Sequence, residues 1–219
     1  MCKLLVLLFV APLCFASQKE DEVLKKMEAS GKTLKNLTAE LWQQKTNTQI
    51  GIQEPAEVGK LYYVPAKNGK FKLRIDITTP PKTIVVDGDH VKFYQPEIRQ
   101  LLLTSLKRAS QNQSVASLAI TFGSVDVIRS NYEVRYLRDE VVDGEGTAVL
   151  LLVPKTKGPY KQIELWISQK QWLPVRQRFV ELNDDVIVIK LSNIKLNTNF
   201  DSSKLIDSFN PPNVKIIKG

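Results

Sequence analysis

The clearest indication of the fold is the stretch at residues 71–78, Phe71-Lys72-Leu73-Arg74-Ile75-Asp76-Ile77-Thr78. Apolar and polar residues alternate strictly along it. Because successive side chains of a β-strand point to opposite faces, this period of two predicts a strand with one dry face and one wet face. Strands of this kind are typical of antiparallel sheets, so the segment predicts a sheet that covers a core with one side.

The same alternation recurs on the C-terminal side, in NYEVRYL at 131–137 and KQIELWIS at 161–168. Turn-forming pairs such as Asn68-Gly69, Asp87-Gly88 and Gly158-Pro159 separate the segments and indicate hairpins. The sequence therefore predicts about eleven strands, joined largely in sequence order. They are expected at residues 37–46, 58–65, 70–78, 83–87, 90–95, 98–103, 131–138, 147–153, 161–168, 174–182 and 186–196.

Two segments depart from the period of two. Residues 21–35 place apolar side chains at three- and four-residue spacings, which predicts an amphipathic helix before the first strand. Residues 104–122 repeat that spacing and predict a second short helix or helical loop inserted between strands. One helix, a large meander and an inserted helix together predict an α+β fold, mainly β.

The N-terminal segment has the organisation of a secretory signal peptide. Lys3 makes the start basic, residues 4–16 are almost wholly apolar, and a polar stretch follows abruptly. The apolar run is shorter than the roughly 20 residues that a transmembrane helix needs. We therefore predict a signal peptide at residues 1–16 and a single exported domain at 17–219. The competing interpretation is a lipid-modified cysteine at Cys14.

Composition excludes several classes of chemistry. The 219 residues are 43% hydrophobic and 25% charged, which is typical of a folded domain and not of a disordered chain. His90 is the single histidine, and Cys2 and Cys14 both lie in the predicted signal peptide. The sequence therefore predicts no metal site, no cofactor and no Cys–His nucleophile. Nucleotide-binding and nucleophile motifs are also missing from the sequence, so we predict that the protein is not an enzyme.

The chain carries a formal net charge of +8. This surplus would suit an anionic surface, and the alternative is that it serves solubility alone. Nucleic acid is not an expected partner, because the exported chain has no motif in which basic and aromatic residues are interleaved.

Five segments occur along the chain in an order that is more specific for a protein family than any one segment alone. Residues 24–37 with WQQ at 42–44 come first, ITTPPKTIVVDG at 77–88 and VKFYQP at 91–96 follow, and FNPPNVKII at 209–217 comes last. In this order the segments resemble the LolA family, the periplasmic carriers of outer-membrane lipoproteins. The similarity runs through the whole predicted exported domain.

The resemblance implies an incomplete, half-open antiparallel barrel of about eleven strands, closed by the N-terminal helix and a short inserted helical lid. It implies a periplasmic protein that shields the acyl chains of lipoproteins, or a similar lipid, in an apolar cavity. The donor would be an inner-membrane ABC transporter complex, with a possible acceptor at the outer membrane, and we expect a monomer. Each buried methylene is worth about 0.8 kcal/mol, so a lipid anchor needs such an escort through water.

The resemblance also assigns candidate residues to the cavity. Phe71 and Leu73 fall at bulky apolar positions of a family strand, and Val115, Leu118 and Phe122 fall on the lid. Strand alternation alone adds further candidates, for which the alternative is an ordinary core position: Leu41, Tyr63, Ile75, Phe93, Ile163, Leu165 and Ile167.

One position departs from the family pattern. Family carriers have an arginine before the proline that follows the second strand, where it is implicated in holding the lid shut, whereas this chain has Val64-Pro65. Val64 has no side-chain donor, so lid closure would depend on packing or on another donor such as Arg74. The alternative function is a non-transporting periplasmic lipid-binding or envelope-sensor module of the same fold, and a hydrolase is a more distant third.

Overall fold

The structure is a computed structural model, and it describes residues 13–65, 71–109 and 124–219. The helices are α1 (Leu13–Thr33), α2 (Leu106–Ala109) and α3 (Val125–Asn131), and Ser203–Asp207 form a π-helical turn. The strands are β1 (Leu37–Asn47), β2 (Ile52–Gln53), β3 (Glu57–Pro65), β4 (Phe71–Thr78), β5 (Pro81–Asp87), β6 (His90–Gln95), β7 (Gln100–Ser105), β8 (Tyr132–Val142), β9 (Glu145–Pro154), β10 (Tyr160–Ser168), β11 (Pro174–Glu181), β12 (Val186–Leu196) and β13 (Lys215–Lys218).

The strands form one sheet of thirteen strands, in the order β13-β7-β6-β5-β4-β3-β1-β12-β11-β10-β9-β8, with β2 paired to β1. Neighbouring strands are antiparallel, except that β13 runs parallel to β7. The order begins at β13 and ends at β8, so the sheet is open and is not closed into a barrel. The predicted α+β, mainly β class and the half-open barrel are confirmed.

Each of the eleven predicted strands is present, but the sequence did not predict β2 and β13 as further strands. β2 has two residues and both are exposed, whereas β13 has four residues with one half-buried side chain. Neither strand is long enough, or buried enough on one side, to show the period of two from which the others were predicted.

The hairpin between β8 and β9 shows how the turn residues act. Asp143 and Gly144 have φ values of 50° and 83°, so both lie in the left-handed region. Two such residues in a two-residue loop match the twist of the flanking strands, and Asp-Gly is a favoured sequence for that turn. The side-chain polarity and the backbone freedom of this pair therefore fix where the chain reverses.

The helices differ from the prediction at their ends. The predicted helix at 21–35 is present, but α1 begins at Leu13 and ends at Thr33, and thus spans the predicted cleavage point. Residues 1–12 lie outside the described residues, and the signal peptide stays a prediction. α2 falls within the predicted helical segment 104–122.

The sequence interpretation missed α3, although a local signal for it exists. The Ser124 hydroxyl accepts a hydrogen bond from the Val127 backbone N–H at 3.3 Å, and Asp126 lies in the first turn. A serine cap followed by an acidic residue is typical of a helix N-terminus. Val125 and Ile128 of this helix are buried against the sheet.

One face of the sheet, called the inner face from here on, carries the main core. The alternating residues Phe71, Leu73, Ile75 and Ile77 of β4 are all buried on it, as the alternation predicts. α1 covers part of this face with buried apolar side chains, which belong to the same cluster: Val23, Leu24 and Met27.

The opposite, outer face of β3 to β6 is crossed by the C-terminal strap, defined as residues 197–214. Near the start of the strap, the Asn36 side chain donates a hydrogen bond to the Thr198 carbonyl and accepts one from the Thr198 backbone N–H. Farther along, Lys72 forms an ion pair with Asp207 at 2.6 Å, and Lys92 donates to the Phe209 carbonyl at 2.6 Å. These contacts lead the chain to β13 at the edge of the sheet.

Gly59 and Gly31 make a matched pair for testing how tightly β3 and β4 are packed. A Cβ at Gly59 would overlap the backbone carbonyl oxygen of Asp76, whereas a Cβ at Gly31 in α1 meets nothing within 4 Å. We expect Gly59→Ala to lower the free energy of unfolding by about 2 kcal/mol, because the backbone must shift to admit the methyl group. Gly31→Ala should raise it by about 0.5 kcal/mol, because alanine favours the helix. Urea unfolding followed by circular dichroism measures both values, and equal effects of the two changes would contradict the expected clash.

Candidate functional site

The inner face brings together the predicted lining residues that lie in the described part of the chain. They come from β1, β3, β4, β6 and β10, and each is buried in the inner-face cluster, with the exception of Phe93, which is half-buried and packs against it. These residues are Leu41, Tyr63, Phe71, Leu73, Ile75, Phe93, Ile163, Leu165 and Ile167. The three lid candidates Val115, Leu118 and Phe122 lie outside the described residues.

The candidates on β3, β4 and β6 form one corner of this face. Tyr63 is registered directly opposite Leu73, and the Tyr63 and Phe71 rings lie 6.1 Å apart. Phe93, on β6, is registered opposite Ile84 and keeps partial exposure. This corner therefore combines large apolar side chains with the least complete burial among the candidates.

The candidates on β10 have a different environment. Ile163, Leu165 and Ile167 are fully buried, and their registered neighbours on β9 and β11 include the equally buried Leu152 and Phe179. Such complete burial is typical of packed core positions. Leu73 is also fully buried, so in this conformation it too packs as a core residue.

The ionisation of the Tyr63 phenol can be used to measure how buried this corner is. Burial raises the pKa of the Tyr63 phenol from 10.0 to about 12. A raised pKa in the folded state means that the neutral phenol contributes stability below pH 10, and that this contribution is lost as the pH rises from 10 towards 12. In a pH titration, we expect tyrosinate absorbance to show a component at high pH that Tyr63→Phe removes. An unchanged titration curve in that variant would contradict the assignment.

The chain on both sides of the segment 110–123 packs on the inner face. Ala109 ends α2 before this segment, Val125 and Ile128 of α3 follow it, and all three are buried in the inner-face cluster. α1 and α3 are joined by an ion pair of 2.8 Å between Asp21 and Arg129. The helices α1, α2 and α3, called the helical cover, therefore pack on the same apolar surface.

Arg74 is not available as a donor for the lid. Strand alternation puts Arg74 on the outer face, where its Nη1 donates to the Leu205 carbonyl at 2.7 Å and its Nε to Asp76 at 2.9 Å. The Arg74 guanidinium also lies 5.0 Å from the centre of the Phe209 ring. Arg74 therefore holds the C-terminal strap, because a residue next to Leu73 and Ile75 on a strand must point to the opposite side.

The inner face ends in charged residues that the sequence interpretation missed. Lys45 donates to Glu181 at 2.8 Å and lies 3.4 Å from Asp185, and both carboxylates are almost fully buried. Burial opposes the charge of Lys45, but the hydrogen bonds and charges of Glu181 and Asp185 outweigh it and raise the Lys45 pKa. Lys45 is in phase with the apolar residues of β1, which is the signal that could have identified it.

A second polar group lies on the same end of the inner face. Gln43 donates to Glu57 at 2.6 Å, and Lys82 pairs with the other oxygen of Glu57 at 2.5 Å. All three side chains are partly buried. Together with Lys45 they form the polar end of the inner face, and the opposite end adjoins α2 and the corner of Tyr63 and Phe71. The face is thus apolar at one end and ion-paired at the other.

A separate surface groove of about 430 Å³ lies beside β8. Its lining is mostly charged, so it does not extend the apolar face: Glu20, Arg129, Tyr132, Glu133, Val134, Arg135 and Lys155. Within residues 13–65, 71–109 and 124–219, no cluster of three His, Cys, Asp or Glu side chains could hold a metal ion. In the same ranges, no helix combines the length and the apolar character that crossing a membrane requires.

Comparison with known proteins identifies what this architecture is similar to. The family model described as "Outer membrane lipoprotein carrier protein LolA" matches residues 32–205. This match covers the end of α1 and every strand from β1 to β12. None of the curated proteins matches the sequence.

Solved structures share the fold at low sequence identity. A conserved protein of uncharacterised function from Thermus thermophilus aligns with a TM-score of 0.61 and 14% identity, covering 92% of this chain and 100% of that chain. A domain from Vibrio parahaemolyticus named for outer membrane lipoprotein sorting gives 0.52 and 13%, covering 86% and 96%. The Pseudomonas aeruginosa MucA/MucB complex gives 0.53 and 10%, covering 91% of this chain and 63% of that chain.

Proposed function

Since this chain belongs to the LolA family of outer membrane lipoprotein carrier proteins, we propose that it is a periplasmic carrier for the acyl chains of lipoproteins or of a similar lipid. The inner face between the open sheet and its helical cover receives the acyl chains. The carrier takes its cargo from an inner-membrane ABC transporter complex and passes it to an acceptor at the outer membrane.

The observation that carries this proposal is the continuous apolar inner face of an open sheet. It extends from Leu41 and Tyr63 through β4 to β6, and buried side chains of the helices pack against it. An acyl chain needs such a surface, because each methylene that leaves water contributes about 0.8 kcal/mol. The corner of Tyr63, Phe71 and Phe93 is where the chains would enter, since its side chains are the least completely buried.

Complete burial of Leu73 and of the β10 residues means that acyl binding requires a conformational change. An acyl chain reaches them only if the cover moves away, so binding is coupled to opening of the packed inner face. The cost of opening lowers the net affinity. A carrier benefits from that cost, because it must release its cargo to the acceptor without nucleotide hydrolysis in the periplasm.

A non-transporting sensor is the second candidate function. It is supported by the fold likeness to MucB, which is solved in complex with MucA. A sensor of this kind would recognise an exported polypeptide or lipid without moving it between membranes. Both candidates use the same fold, so the distinction lies in whether a bound lipoprotein is transferred.

Measurements of acyl binding and of lipoprotein release test the carrier function. Native mass spectrometry and lipid extraction of the protein from an envelope fraction should detect acyl species, and a fluorescent fatty acid should bind the purified protein. Added protein should also release newly made lipoproteins from spheroplasts into the medium. Acyl binding without release would favour the sensor, and the absence of both acyl species and probe binding would overturn the proposal.

A further inference from the structure

A single row of paired residues crosses the outer face of six strands. Trp42 of β1 is registered opposite Lys190 of β12, Lys190 opposite Arg176 of β11, and Arg176 opposite Trp166 of β10. Because directly paired residues of antiparallel strands lie on one face, each of these four side chains is a neighbour of the next. The row, called the Trp–cation row here, continues through Val149 of β9 to Arg138 of β8.

The cations of the row are held on its tryptophans. The Arg176 guanidinium lies 4.7 Å from the centre of the Trp166 ring, and the Lys190 ammonium lies 5.3 Å from that of Trp42. Trp166 is 3% exposed although it faces away from the main core. A guanidinium stacked on a ring keeps its in-plane N–H donors for other acceptors, which fixes its position without using its hydrogen-bonding capacity.

Within the described part of the chain, the two central cations form no ion pair with an acidic residue, unlike two neighbouring cations of this face. Arg178 pairs with Glu164 at 3.2 Å, and Arg138 pairs with Glu140 at 2.6 Å. Arg176 and Lys190 form no such ion pair, and the Arg176 Nε is a buried donor without an acceptor. A buried donor that stays unpaired costs free energy.

Glu140 is the acidic residue most relevant to Arg176, and it is already engaged. The hydrogen bonds from Arg138 lower the pKa of the Glu140 carboxyl, and the charge of Arg176 makes only a smaller contribution. The C-terminal strap does not cover the row either, because the hydrogen bonds of the strap reach Asn36 and the strands β4 and β6. The row thus presents two cations that are stacked on tryptophan rings and form no ion pair of their own.

We propose that the Trp–cation row is a docking surface for an acidic segment of another polypeptide. Arg176 offers a planar set of donors that matches a carboxylate, and Lys190 on the next strand receives a second one. The function of the inner face is separate from this surface, because Leu73 and the row lie on opposite sides of the sheet.

Two features favour an acidic polypeptide over an anionic membrane. A sheet twists by about 20–25° from each strand to the next, so a row across six strands is not flat and a planar bilayer would meet only part of it. Attraction to an anionic bilayer needs clusters of about four to eight basic residues, whereas only two cations of this row are outside an ion pair. A flexible acidic chain can follow the twist and reach both.

Fluorescence anisotropy of a labelled oligoglutamate peptide tests the proposal with the full exported domain. We expect binding at low ionic strength that weakens as salt is added, and no binding of an oligolysine peptide of equal length. The double variant Arg176→Gln with Lys190→Gln should weaken oligoglutamate binding about tenfold or more, which corresponds to the loss of charge-assisted hydrogen bonds. The single variant Lys190→Gln, which leaves the Trp166 packing intact, should weaken it several-fold.

Arg135→Gln is the matched control, since Arg135 lies on β8 and is highly exposed beside Glu133 at 3.6 Å. It removes the same charge from the chain, so a weakening below about twofold is expected. Equal weakening by the control and by Lys190→Gln would overturn the proposal, because net charge alone would then account for binding. Binding to vesicles of phosphatidylcholine and phosphatidylglycerol in equal parts, without binding of oligoglutamate, would also overturn it.

Discussion

Leu73→Asp is expected to abolish binding of a fluorescent fatty acid to the purified protein. Leu73 is fully buried at the centre of the inner face, opposite Tyr63. A carboxylate there either stays charged in an apolar surrounding or takes up a proton, and each course is costly. The same change removes a packed leucine from the core, so we expect the free energy of unfolding to fall by about 3–5 kcal/mol. Titration with the probe measures binding, and urea unfolding measures stability.

Two further variants separate a lost binding site from a lost fold. Phe93→Asp places a carboxylate at a half-buried position of the same face, so it should weaken probe binding at least about tenfold with a smaller loss of stability. Val58→Asp is the control, because Val58 is 42% exposed on the outer face of β3. Wild-type binding in Phe93→Asp, in a folded protein, would show that the acyl chains bind elsewhere.

Lys45→Met is expected to give the second large effect. Its removal leaves the carboxylates of Glu181 and Asp185 nearly buried without their ammonium partner. Breaking a buried ion pair from one side costs about 3–5 kcal/mol, because the remaining charge stays out of water. In the wild-type protein, the raised Lys45 pKa means that the contribution of the lysine is lost only as the pH rises above its ordinary range near 10.5.

Lys161→Met is the control for this prediction. Lys161 contacts Asp184, the neighbour of Asp185 in the same turn, at 2.6 Å, but both side chains are well exposed. Exposed ion pairs are worth about 0–1 kcal/mol, so the expected loss is small. Similar losses in the two variants, measured by urea unfolding at neutral pH, would contradict the importance of burial for the Lys45 pair.

The strands were predictable because their signal is local. The period of two in β4 already determines which side chains share a face, and the structure buries Phe71, Leu73, Ile75 and Ile77 together. The Asp143-Gly144 turn was equally predictable, since its conformation depends on the two residues themselves. β13 was not counted as a strand because it is exposed, and its pairing depends on β7, which is far away in the sequence.

The candidate site was predictable only in part, for a related reason. Alternation places Leu73 and Leu165 on the inner face, but it does not say how completely the cover packs on them. Burial depends on side chains from α1, α2 and α3, whose positions follow from long-range packing. The same applies to Arg74, which alternation alone assigns to the outer face but whose partners Leu205 and Phe209 come from the C-terminal strap.

Side-chain periodicity and turn chemistry act between near neighbours, so local sequence patterns were enough to predict an antiparallel sheet with one apolar and one polar face, preceded by a helix. Local patterns did not reveal that Lys45 of β1 pairs with Glu181 of β11, or that Trp42, Lys190, Arg176 and Trp166 align in one row. These features join residues far apart in sequence, and their free energies depend on register and burial, which no local pattern contains.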